Sequence, residues 1–283
     1  MNLPSSRTLS AEYEQLLAVA RGEWLRQEGA AAPSALKRVR DLILFELLGG
    51  LYLVIACDSN ASIGEKPNDA LSKSYAEVGI SALKVPMMEV LAAGAMPFLV
   101  VNALCMEMEP SGQRMIEAMQ GALQRAGFDP DMMLTGSTED NARTTQSGIG
   151  VTVLGVALED RFRIGRTQPG DVVFCVGNPK GGVTIPYTEF DPDIASIETV
   201  LALLYLEGVH EILPVGSKGV MREAQELGGV AGTTFHPADP LPEINLRGSA
   251  GASTAVLVSA PPDSLVLIMD SVDVPVYSLG SMK

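Results

Sequence analysis

The sequence predicts an α+β fold in two units, and three observations carry that expectation. From Asp41 onward, short β-rich runs alternate with helix-forming segments in the order β-β-α-β-α-β-β. After the turn signal RTQPGD at residues 166–171 a smaller set of helix and strand patterns follows. Of the 283 residues, 47% are hydrophobic and 19% charged, which is ample apolar material for a packed core and excludes disordered and fibrous classes.

Taken in order, residues 10–27 carry Leu16, Leu17, Val19, Ala20, Trp24 and Leu25 at helical spacing and end in the linker GAAAPS. The runs DLILFELL and LYLVIACD, parted by Gly49 and Gly50, read as an antiparallel hairpin. The helix formers VPMMEVLAAGAMP follow from Val85, then a strand, FLVVNALCMEME. SGQRMIEAMQGALQRAGF reads as an amphipathic helix with Ser111 as its cap, and MMLTG and IGVTVLGVAL read as strands around the polar loop STEDNARTTQS. In the second unit a strand at VVFCV leads to a helix over 191–207, a strand at EILPVG and a helix capped at Ser217. STAVLVSAP and SLVLIMDS close it as a strand pair.

Charge narrows the partners. Lys and Arg total 20 against 34 Asp and Glu, a formal net charge of −14, and such a surface repels polyanions, so nucleic acid and anionic membranes are excluded as expected partners. A small phosphorylated ligand stays open, because a divalent metal can neutralise phosphate where basic side chains are few. No stretch reaches the roughly 18 to 20 apolar residues that span a bilayer, and the first residues lack a signal-peptide pattern, so a cytoplasmic location is expected. Cys57, Cys105 and Cys175 end apolar runs and read as small core residues; with two histidines and no CxxC pair, a His/Cys metal site is not expected.

Three loops could carry chemistry. In ACDSNASIGEKPNDAL an apolar strand delivers Asp58, and Glu65, Lys66 and Asp69 follow. Carboxylates so placed can hold Mg²⁺, and Lys66 can reach a phosphate, although solvated loop charges would look the same. In TGSTEDNARTT the small and hydroxyl residues Gly136, Ser137 and Thr138 allow close backbone approach, with Asp140 and Asn141 as polar ligands; an ordinary turn-rich hairpin is the plainer reading. In VGNPKGG, Lys180 stands before two glycines in a loose phosphate cradle or a hairpin tip. Neither GxxxxGK[ST] nor a strand-helix GxGxxG is present, so the two common nucleotide folds are set aside, and no GxSxG elbow serves His210 or His236.

The ordered set DLILFELLGGLYLVIACDS, KVPMMEVLAAGAMPFLVVNAL, LTGSTEDNARTTQSGIGVTVLGVA and RTQPGDVVFCVG resembles the superfamily of aminoimidazole ribonucleotide synthetase, thiamine-monophosphate kinase, selenide, water dikinase and a hydrogenase-maturation protein. Within it, DSNASIGEKPND, VLAAGAMP, GSTEDN and LPVGSKG are most similar to α-ribazole kinases of cobamide salvage. The resemblance implies a helical segment at 1–37, an ATP-binding and dimerisation domain at 38–165 whose sheet closes a barrel across a homodimer, and an α/β sandwich at 166–283. It implies ATP and Mg²⁺ as cofactors and phosphorylation of the α-ribazole 5′-hydroxyl. Other superfamily reactions, which activate an amide or carboxylate oxygen, and a non-catalytic nucleotide-binding role are the alternatives.

By the same resemblance Asp41, Asp58 and Asp140 are metal ligands, with Arg40 standing where relatives often carry a second acid. Gly136, Ser137, Thr138 and Asn141 match the loop that approaches phosphate in that superfamily; Lys180, from its loose cradle, is a further candidate nucleotide contact, and Lys66 and Asp69, placed by the first loop and not by a family motif, are the catalytic candidates, the latter as base. The selenide-handling and hydrogenase-maturation roles are disfavoured, since no Cys precedes Cys57 and the chain ends SLGSMK.

Overall fold

A computed structural model describes residues 36–48, 50–181 and 184–283; the expected N-terminal helix over 10–27 lies outside them. Two sheets organise the rest. The first takes β1 (Leu36–Val39), β2 (Leu42–Leu48), β3 (Leu51–Ala61), β6 (Met96–Leu104), β7 (Leu134–Thr138) and β8 (Gly148–Leu158) in the order β1-β2-β3-β8-β6-β7, with β4 (Ile63–Gly64) and β5 (Leu71–Ser72) as a small parallel pair beside it. The second takes β9 (Val172–Val176), β10 (Glu211–Pro214), β11 (Phe235–Pro237), β12 (Val256–Ala260) and β13 (Val276–Met282) in the order β10-β12-β9-β13-β11.

Strict alternation sets the faces of the first sheet. In β3 and β8 every second residue, among them Tyr52, Val54, Ala56, Val151 and Val153, is buried against helix α1 (Tyr75–Ala92). On the opposite face, register aligns Ile43, Ile55, Leu154 and Leu99 in one row and Phe45, Leu53, Val156 and Met96 in the next. These are apolar rows four strands wide, and none of their residues is fully buried.

Helix α1 starts ten residues before the expected Val85. Ser74 Oγ accepts from the Glu77 amide at 3.3 Å while Ser74 N donates back to the Glu77 carboxylate, a capping box, and Pro86 sits inside the helix. The α1 face away from the first sheet packs on α4 (Ile197–Leu204) and β10, so one apolar core runs from Val54 and Val153 through Met87 to Phe174 and Val258. A second core under the other face of the second sheet joins Val173, Cys175 and Leu257 to Val220 and Leu227 of α5 (Val220–Ala231).

Several sequence expectations are corrected. The amphipathic helix is α2 (Gln113–Arg125), and Ser111 does not cap it: its hydroxyl donates to Glu107 Oε1. Residues 132–133 belong to a single helical turn, α3 (Pro130–Met133), ahead of β7. The helix expected over 191–207 is only α4, begun by a Ser196/Thr199 capping box. α5 starts from Gly219 at φ 81° with no side-chain cap, so Ser217 is not its cap. SLVLIMDS is not a strand but the short helix α6 (Leu265–Ser271), launched by Pro262 and burying only Ile268; a continuous apolar run carries no period that separates helix from strand. The strand β12 pairs instead with β9 and β10. Cys57 and Cys105 are exposed rather than core; Cys175 is buried, and burial pushes its thiol up to about 12.

Candidate functional site

The β1-β2 turn and the middle of β3 form the walls of a cleft of about 380 Å³, floored by Val85, Pro86 and Glu89 of α1. Asp41 and Asp58 both line it. Asp41 lies in the turn rather than at the head of the first strand, because β1 precedes it, and Arg40 takes φ 54° to close that turn. Arg40 lines the cleft, and its guanidinium binds Glu211 Oε1 of β10 at 2.5 Å, with both side chains buried. It thus ties the two sheets together.

Three carboxylates share this space. Burial raises Asp58, with the Asp41 charge adding to the rise and the Ser59 amide opposing it. Burial, again with Asp41, pushes Glu89 up to about 8, and burial, Glu226 and Asp41 raise Glu223 of α5. Burial is the main cause of each rise, and Arg40 opposes it at Glu89 and, with Lys218, at Glu223. Among the described residues no three Asp, Glu, His or Cys converge tightly enough to chelate a metal by themselves. Glu89 was missed in the sequence because it reads as one polar residue in an amphipathic helix; the available signal was a lone carboxylate in the otherwise apolar run VPMMEVLAAG.

The other expected ligands stand elsewhere. Register places Asp58 beside Val151, Val151 beside Asn102, and Asn102 beside Gly136. Three strand spacings, about 14 Å, part β3 from β7, so one ion cannot join Asp58 to Asp140 within a chain. Gly136, Ser137 and Thr138 line a separate groove of about 210 Å³ with Asn102 and Gln120. A Cβ at Gly136 would lie 2.3 Å from the Asn102 carbonyl oxygen, so glycine there serves strand packing. Asp140 accepts from the Thr138 hydroxyl at 2.6 Å and the Met108 amide at 2.9 Å, which hold its carboxyl below the usual range; the Asn141 amide donates to Glu139.

Lys66 donates to both oxygens of Glu107 at 2.7 and 2.9 Å, and Asp69 accepts from the Lys66 amide and from the amide and hydroxyl of Ser147. Burial acts to raise Asp69, but the two Ser147 donors outweigh it and hold the carboxyl low. This set pins the 62–69 loop to β8, and a carboxylate so saturated is a weak base, contrary to the sequence expectation. Lys180 bridges Asp193 at 2.7 Å and Asp191 at 3.2 Å, and these partners outweigh burial to raise its pKa. It shares neither the cleft nor the groove.

The fold, a two-sheet α/β architecture, is similar to that of a thiamine-monophosphate kinase and of a hydrogenase-maturation protein. Thiamine-monophosphate kinase from Stenotrophomonas maltophilia matches with a TM-score of 0.58 at 16% identity over 94% of this chain and 92% of that one. A structure described as AaThiL complexed with AMPPCP and TMP matches at 0.60 and 16% identity, over 95% and 89%. The hydrogenase maturation protein HypE in complex with ATP matches at 0.59 and 18% identity, over 92% and 84%. No family model and no curated protein matches the chain. No helix among the described residues is long and apolar enough to cross a membrane.

Proposed function

We propose that the protein is an ATP-dependent kinase that phosphorylates a hydroxyl of a small molecule, with α-ribazole as acceptor and α-ribazole 5′-phosphate as product. The observation that carries the reading is the cleft that brings Asp41, Asp58 and Glu89 together, where burial raises Asp58 and Glu89. Support comes also from the fold it has in common with a thiamine-monophosphate kinase and with proteins crystallised with AMPPCP or ATP. The acceptor rests on the sequence resemblance of DSNASIGEKPND, GSTEDN and LPVGSKG.

Mg²⁺, when bound, would supply positive charge that offsets the charge of transfer. Asp58 and Asp41 are its proposed ligands, with Glu89 joining on loss of its proton. Asp140 is reassigned from that shell to its own loop. Gly136, Ser137, Thr138 and Asn141 are proposed nucleotide contacts away from the metal, and Lys180 a contact that exchanges an aspartate for a phosphate. Lys66 and Asp69 hold the 62–69 loop against Glu107 and Ser147. The acceptor oxygen bonds to the γ-phosphorus as the bond to the β-γ bridging oxygen breaks, and the hydroxyl proton leaves to solvent or to a carboxylate of the cleft.

The division at 38–165 and 166–283 and a homodimer formed through the first sheet belong to the same reading; the two apolar rows on its outer face support a second copy as their cover. The test is transfer from γ-labelled ATP with Mg²⁺ to α-ribazole, with the product identified by mass. Labelled α-ribazole 5′-phosphate is the expected result. Mg-ATP binding without that product would move the search to other acceptors, including amides and carboxylates, and absence of Mg-ATP binding would remove the cleft from the reading.

A further inference from the structure

On the far side of α1 from the acidic cleft lies a larger one of about 980 Å³, walled by the end of α1, the segment 160–168 and the helix-to-strand turn 201–210. Its chemistry is opposite in sign. Arg161 and Arg166 line it, both exposed, and among the described residues neither forms an ion pair, although 34 carboxylates outnumber 20 cations in the chain. Arg163, between them, donates to the carbonyls of Leu204 and Val209 and so fixes the segment against the second unit. The one carboxylate on the rim, Asp160, leaves the wall net positive.

His210 adds a built polar group. Its Nδ1 lies 2.9 and 3.0 Å from the two oxygens of Asp171, a side chain only 4% exposed that also accepts from the Ser259 hydroxyl and the Gln168 amide. The carboxylate locks the ring, and Nε2 is left without a protein partner among the described residues. Flat apolar surface completes the cleft: Phe128 and Phe162 line it, and Tyr205, 80% exposed, stands at its edge just beyond α4.

We propose that this cleft binds a small aromatic anion, a phosphate or carboxylate carried on a flat apolar ring, with Arg161 and Arg166 holding the anion and Tyr205 stacking on the ring. The site does not depend on the proposed reaction. Gly165 and Thr167, in the segment that carries Arg161 and Arg166, donate to Glu211, the residue that takes Arg40.

The probe is 1-naphthyl phosphate, titrated into the full chain by calorimetry, with 1-naphthol and inorganic phosphate as the separate halves. Binding below millimolar Kd is expected for the intact probe, at least tenfold weaker for either half. Arg161→Gln/Arg166→Gln, two exposed changes that leave packing alone, should weaken the probe at least tenfold, and Tyr205→Ala severalfold. Asp58→Asn, in the other cleft, should leave its affinity unchanged. No binding at millimolar probe, an unchanged Kd in the double variant, or loss of binding in Asp58→Asn instead would each overturn the assignment; the last would place the probe in the acidic cleft.

Discussion

Burial beside Asp41 raises both Asp58 and Glu89, and each yields a separable expectation. Asp58→Asn keeps the shape of β3 and removes a charge that the fold itself disfavours. Phosphoryl transfer should fall by about 10²-fold or more while Tm stays level or rises, read by turnover and calorimetry on the same samples; full turnover would take Asp58 out of the site. Glu89 titrates near 4.5 when unfolded and at about 8 when folded. Between those values the native state carries a proton that the unfolded state has released, so stability falls as pH rises through that window. Glu89→Gln should flatten this decline, and denaturant midpoints for the two proteins at pH 5 and pH 9 would decide it: parallel changes would mean that Glu89 is not the group responsible.

Helix α1 is the element on which both units depend, and it holds a buried ion pair. Lys84 Nζ lies 2.6 Å from Glu189 Oε2, with the two side chains 3% and 1% exposed, while Glu189 Oε1 has no partner. Lys84→Met leaves an uncompensated buried carboxylate and should destabilise by about 3–5 kcal/mol. Lys84→Met/Glu189→Leu should recover most of that loss in urea unfolding; a double variant as unstable as the single would show that packing, not charge, dominates the contact. At the start of the helix, Ser74→Ala removes the capping box and should cost about 1 kcal/mol.

The same helix shows what the sequence can and cannot convey. The strands β2, β3, β6 and β8 were legible because one face of their sheet is buried and their side chains alternate. α1 was legible only from Val85, since a helix buried on two sides has little amphipathic period, and its true start rests on Ser74 and Glu77, which look like loop residues. The meeting of Asp41 with Asp58 came from family resemblance, not from spacing. Glu89 joins them only through the packing of α1 on the sheet, and the separation of Asp140 follows from strand order, which no local pattern records.

At the scale of the whole molecule, the outer rows Ile43-Ile55-Leu154-Leu99 and Phe45-Leu53-Val156-Met96 are the surface a second copy would cover. Leu53→Asp/Ile55→Asp, on the strand at the centre of both rows, should convert a dimer to monomer in sedimentation with the far-UV spectrum retained, because neither side chain reaches the inner core. A dimer that survives the pair would place the interface elsewhere.

The continuous core beneath α1 also governs how the gene could be cut. A fragment encoding only the second sheet would leave Phe174, Val176, Val256 and Val258 without the helix that roofs them, since that roof is translated a hundred residues earlier. Separately expressed halves should be insoluble, and co-expressed halves should rescue each other, because the larger of the two cores is built from both sheets.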